Sequence, residues 1–73
     1  MKTIRNSIEL INVLDKYLES NKLSRRKFCI LTGIPNSTIS SWKIKKVLPS
    51  IEVVAKIADF MNVSLDWLVF NSD

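Results

Sequence analysis

The sequence predicts an all-α fold, a compact domain of five short helices. Three features predict it. Apolar residues recur every three or four positions, which is the period of a helix face, and nowhere alternate as a strand requires. Chain breakers are scarce, one Gly and two Pro in 73 residues, and each falls between such stretches. A Ser or Asn also stands at the start of each stretch, where a helix needs a cap or a polar first turn.

The elements follow in order. Asn6 with Glu9 forms a capping-box pattern, and Ile8, Ile11, Leu14 and Leu18 carry the stripe of helix 1, about Ser7 to Ser20. Ser24 caps helix 2, which runs to about Leu31 or Thr32, and Gly33 supplies the positive-φ position after it. Pro35 and Asn36 open helix 3, which ends near Lys43. Pro49-Ser50 starts helix 4, with Ile51, Val54, Ile57, Ala58 and Met61 on one stripe. Ser64 caps a short helix 5 that carries Trp67, Val69 and Phe70. A chain this short buries only about 60% of the surface it exposes unfolded, so residues 1–73 are expected to share one core, from about 7 to 70, between short tails. Lys2 and Arg5 are expected in an untethered N-terminal tail, with an arm reaching a ligand as the alternative.

Charge is distributed unevenly. From Lys22 to Lys46 there are seven cations (Lys22, Arg25, Arg26, Lys27, Lys43, Lys45, Lys46) and no acid. Outside that stretch four cations face seven acids, so the net charge of +4 hides a basic middle between acidic flanks. That pattern fits a polyanion-binding surface. Arg25, Arg26 and Lys27 also crowd the first turn of helix 2, where cations oppose the helix dipole by about 0.3–1 kcal/mol each. An anion held at that helix end would reverse the sign, and a phosphate is the natural candidate.

Helices 2 and 3 are joined by a very short turn around Gly33, which is a helix-turn-helix arrangement. Its physical requirements are met: small Cys29 midway along helix 2, permissive Gly33 in the turn, and Phe28, Ile34, Ile39 and Trp42 spaced to pin the two helices. Helix 3 is rich in Ser, Thr and Asn. These residues lower helix propensity but let a helix approach a groove floor closely. Asn36 suits either a cap or a bidentate contact to adenine, and Ser accepts any base edge. Lys43, Lys45 and Lys46 read as phosphate ligands.

From about Leu10 to Val69 the chain resembles the lambda repressor and Cro-like, or xenobiotic-response-element, family of helix-turn-helix proteins. The matching motifs are Leu23-Ser24, Gly33, Ser37-Thr38-Ile39-Ser40, Pro49-Ser50 and Val63-Ser64-Leu65-Asp66-Trp67-Leu68. The resemblance implies a lambda-repressor-like five-helix domain that binds double-stranded DNA at a palindromic operator as a weak homodimer, typically as a small bacterial or phage transcriptional repressor. Carried over by position, it implies base contacts from Asn36, Ser37 and Ser41 with Ser40 and Thr38 nearby. It implies phosphate contacts from Arg25, Lys45 and Lys46, to which the basic clusters add Arg26 and Lys43, and Thr38 is grouped with them. Trp67, Val69 and Phe70 are expected at the dimer interface. Several departures matter: Cys29 stands where members usually have Ala, and Arg25 where they often have Gln. Leu18 and Lys43 stand where many members bury an Arg–Glu pair. Losing both together avoids a stranded charge worth about 3–5 kcal/mol, so Leu18 should enter the core and Lys43 should face outward.

Other classes are disfavoured. With no His and a single Cys there is no triad and no zinc-ligand cluster, so catalysis, metals and cofactors are not expected, nor is a small-molecule substrate. Asp15, Glu19, Glu52 and Asp59 are expected on solvent faces without partners. No apolar run is long enough to span a membrane, and the lone cysteine and the charged N-terminus point to the cytoplasm. Two rival roles remain open: a protein-binding module, such as an antitoxin or adaptor, and a basic module that coats nucleic acid without sequence preference.

Overall fold

The structure, a computed structural model, describes residues 2–71. In chain order it contains β1 (Thr3–Ile4), α1 (Ser7–Ser20), α2 (Arg25–Thr32), α3 (Asn36–Ile44), α4 (Ile51–Met61), α5 (Leu65–Val69) and β2 (Phe70–Asn71). Local chemistry sets the helix ends. Asn6 Oδ1 accepts from the Glu9 N–H at 2.8 Å, and Glu9 Oε1 accepts from the Asn6 N–H at 3.0 Å, completing the capping box. The hydroxyls of Ser24, Ser50 and Ser64 accept from the N–H groups of Lys27, Val53 and Trp67. Gly33 closes α2 at φ 76°, in the left-handed region that favours glycine.

The core is built from the faces that the helical period marks. Leu10, Leu14 and Leu18 of α1 meet Phe28 of α2, Ile39 and Trp42 of α3, Ile57 and Met61 of α4 and Leu68 of α5. Leu18 is buried, as expected. Aromatic rings link α1, α2 and α4: Phe28 and Phe60 stack edge-to-face at 5.1 Å, and Tyr17 meets Phe60 at 6.1 Å. Cys29 is half-buried against the cluster rather than fully enclosed.

Three expectations are corrected. The N-terminal segment is tethered. Thr3 and Ile4 pair antiparallel with Asn71 and Phe70, and the Arg5 N–H donates to the Val69 carbonyl at 2.8 Å. The Arg5 side chain donates through Nε to the Leu68 carbonyl and through Nη1 to Asn71 Oδ1, while Lys2 pairs with Asp66. Phe70 does not belong to α5 but turns into β2, because the chain must extend to meet β1. Two stripe residues stay outside the core: Ile8 of α1 is 37% exposed and Ile51 of α4 is 80% exposed. Both stand in the first turn of their helices, ahead of the first apolar residues that are buried, Leu10 and Val54.

Arg5 closes the two ends of the chain with partly buried, charged hydrogen bonds, so Arg5→Ala should lower stability by about 1.5–3 kcal/mol in urea unfolding. The Glu9 carboxyl is held below the usual carboxylate range, first by the Asn6 N–H and then by the Asn71 amide, with burial opposing them and the Arg5 charge adding least. A depressed folded-state pKa stabilises above the unfolded value, and that stabilisation is lost as pH falls through the folded one. The stability difference between wild type and Glu9→Gln should therefore be complete above about pH 5 and shrink below about pH 4. Urea unfolding across pH measures it.

Candidate nucleic-acid interface

α3 is amphipathic in an unusual sense: its inner line is large and its outer line is small. Ile39 and Trp42 are 0% and 2% exposed and face the core. At about 100° per residue, the opposite line passes through Ser37, Ser40, Ser41 and Ile44. Asn36 and Lys43 lie along one edge of that line, and Thr38 and Lys45 along the other. Asn36, Ser37, Lys43 and Lys45 are exposed, while Thr38, Ser40 and Ser41 are intermediate. The helix that sequence reasoning marked is thus on the surface.

Two polar side chains on this face, Asn36 and Ser41, differ in what they have left to offer a ligand. Pro35 occupies the cap of α3 and offers no side-chain bond, so Asn36 is the first helical residue and not a cap. Among the described residues its amide has no partner, which leaves donor and acceptor both free. The Ser41 hydroxyl donates to the Ser37 carbonyl at 3.0 Å. Its hydrogen is spent within the helix, so toward a ligand Ser41 is an acceptor only, narrower than a hydroxyl open to any base edge.

The cations bracket this face. Arg25, Arg26, Ile30, Pro35 and Asn36 line one open groove of about 670 Å³ between α2 and the start of α3. The first turn of α2 and the first residue of α3 therefore share one concavity. Lys43, Lys45 and Lys46 lie at the far end of α3, where Lys46 takes φ 54° and turns the chain away from the helix. Among the described residues, Arg26, Lys27, Lys43, Lys45 and Lys46 make no ion pair.

Arg25 differs from the other cations. Its Nε and Nη2 donate to the two carboxylate oxygens of Asp15 at 3.1 and 2.8 Å. Asp15 was expected on a solvent face without a partner. It lies on α1, and the packing of α1 against α2 carries it to the basic turn. Glu52 likewise pairs with Lys56, loosely at 3.9 Å. The Asp15 hydrogen bond holds the Arg25 guanidinium still more firmly protonated, against a partial opposing effect of burial. The fork is thereby fixed in direction, with Nη1 uncommitted. Sequence spacing gives no sign of this pair, because its partners belong to different helices.

Sequence reasoning also passed over Ile44, which is 77% exposed at the end of α3. The sequence predicts an end to helix 3 near Lys43, whereas α3 runs to Ile44, whose position seven residues after Ser37 sets it on the same face. Of the expected dimer residues, Trp67 is 46% exposed, while Val69 and Phe70 are half-buried. A larger apolar area lies beside them. Ile4, Leu48, Ile51 and Leu65 are exposed and, with Val69, line a groove of about 220 Å³.

No group of three or more potential metal ligands occurs among the described residues, and no helix among them is long and apolar enough to cross a membrane. The model of a family described as helix-turn-helix matches residues 3–68. Neither the curated proteins nor the solved structures gave a match.

The Asp15–Arg25 pair is nearly half exposed, so its contribution is screened. Asp15→Asn should lower stability by only about 0.2–1 kcal/mol, and a double-mutant cycle with Arg25→Gln should give a coupling of that size, reduced in high salt. A coupling of zero in low salt would mean that the fork is not held in solution.

Proposed function

The chain belongs to the helix-turn-helix family and is a DNA-binding regulatory domain rather than an enzyme; on that premise we propose that it binds double-stranded DNA sequence-specifically as a small transcriptional repressor of the lambda repressor and Cro-like kind. α3 enters the major groove with its small outer face against the base edges. Asn36 makes a bidentate contact to adenine, Ser37 and Ser40 reach neighbouring edges, and Ser41 accepts from an exocyclic amine of adenine or cytosine. Arg25, steadied by Asp15, reaches a phosphate beside the first turn of α2, with Arg26 near it. Thr38, Lys43, Lys45 and Lys46 grip the backbone along the edges and the far end of α3. Repression follows from occupying a promoter in the cytoplasm of a prokaryotic cell.

The observation that carries this reading is the free amide of Asn36 in the same concavity as two arginines, at the head of an exposed face flanked by unpaired lysines. A homodimer on a palindromic operator completes the proposal. A two-fold axis would set two copies of α3 one DNA turn apart, about 34–36 Å. The apolar groove at Val69, with Trp67 and Phe70 close by in the chain, supplies the self-association surface. The same groove supports a second reading, in which it docks another protein and the domain serves as an antitoxin or adaptor.

Salt dependence separates these readings. With five to seven phosphates neutralised, log affinity for a labelled duplex should fall against log salt with a slope of about −5 to −6. A partner held by the apolar groove would be nearly salt-blind. Asn36→Ala should cost about 1–3 kcal/mol at a duplex selected from random DNA and little at unrelated duplexes. Equal competition by unrelated duplex would remove the sequence-specific claim.

A further inference from the structure

One of the two residues at the centre of the outer face of α3 is not polar. Taking Ile39 and Trp42 to define the inner line, the positions most nearly opposite are Ser37 and, equally close but on the side of Ser40, Ile44. Ile44 is 77% exposed, and no described residue covers it. Lone exposed aliphatics are ordinary on protein surfaces, but this one is flanked by Lys43 and Lys45 and shares its face with three serines, Ser37, Ser40 and Ser41. Whatever covers this face is a polyanion, by charge complementarity, and must approach closely, because Ser side chains are short. A large aliphatic group pressed against polar base edges would desolvate them without replacing their hydrogen bonds. The apolar group that a DNA base offers in the major groove is the C5-methyl of thymine.

We infer that Ile44 is a specificity-determining residue that packs on a thymine methyl. This rests on the DNA-binding reading and deepens it. Asn36 and Ile44 lie at opposite ends of α3, which rises about 1.5 Å per residue, so they are about 12 Å apart along the helix axis. The favoured half-site therefore has its adenine and its methyl-bearing thymine separated by several base pairs, with serine-contacted positions between them. Ile44 rejects other bases by steric and desolvation cost, where Asn36 selects by hydrogen bonds.

The test uses the duplex that the wild-type protein selects from random DNA, with each thymine in turn replaced by deoxyuridine. That change keeps base pairing and removes one methyl. Wild type should lose about fourfold in affinity at one thymine per half-site, the value of one buried methyl group. Ile44→Ser should show no loss at that thymine, and Ile44→Val should keep most of it. Because Ile44 is exposed, both variants are expected to fold, which circular dichroism checks. The inference is overturned if no single deoxyuridine weakens the wild type, if the selected half-site contains no thymine, or if the penalty is the same in Ile44→Ser. It is also overturned if Ile44→Ser leaves the penalty intact and instead weakens self-association in sedimentation without DNA, because Ile44 would then belong to a contact between copies. In each of these cases a steep salt slope would leave the DNA-binding reading standing, whereas failure of the wild type to bind any duplex would remove both.

Discussion

The anchoring of α3 by Ile39 and Trp42 is the constraint on which the rest depends. Nine residues containing Asn, Thr and three Ser have little intrinsic reason to be helical, since their side chains compete for the backbone. The Ser41 hydroxyl, bonded to the Ser37 carbonyl, shows that competition directly. Burying Ile39 completely and Trp42 almost completely against α1 and α2 supplies what propensity does not. The whole opposite face is thereby free to remain small and polar. Weak self-preference and a thin, accessible outer surface are two consequences of the same residue choice.

The second organising feature is an electrostatic arrangement that the isolated fold does not favour. Cations in the first turn of α2 oppose its dipole, and five cations near the interface have no ion-pair partner among the described residues. The fold compensates at one position only, by bringing Asp15 to Arg25. That pair fixes the direction of a side chain more than it adds stability, since nearly half-exposed ion pairs contribute little. The remaining positive charge lies unneutralised around α3, which suits a polyanion that neutralises it on binding.

Away from this surface the domain is secured by joining its ends. The ladder between β1 and β2 is only two residues long on each side, yet Arg5 and Lys2 extend it to Leu68, Asn71 and Asp66. α5, just five residues long, is thereby held from both sides, by the core through Leu68 and by the N-terminal segment. Asn71 also reaches Glu9, so the capping box of α1 and the end of the chain share one hydrogen-bonded group.

Features that depend on neighbours in sequence were legible before any coordinates. The five helices, the caps at Asn6, Ser24, Ser50 and Ser64 and the left-handed Gly33 follow from spacing and capping chemistry within a few residues, while the burial of Leu18 and the exposure of Lys43 were expected from the resemblance. The features that the sequence hid join residues far apart. The Asp15–Arg25 pair, the strand pairing of two segments that each look like tails, and the exposure of Ile51 depend on where one helix ends relative to another. Two-residue strands carry no alternation to detect, and a helix stripe does not reveal which of its turns overhangs the core. Helical period and local hydrogen bonding thus determined the class of fold and the face of α3 that meets solvent. Only tertiary packing decided which charge is paired and how the ends are tied, because those outcomes depend on distances between elements that no local pattern specifies.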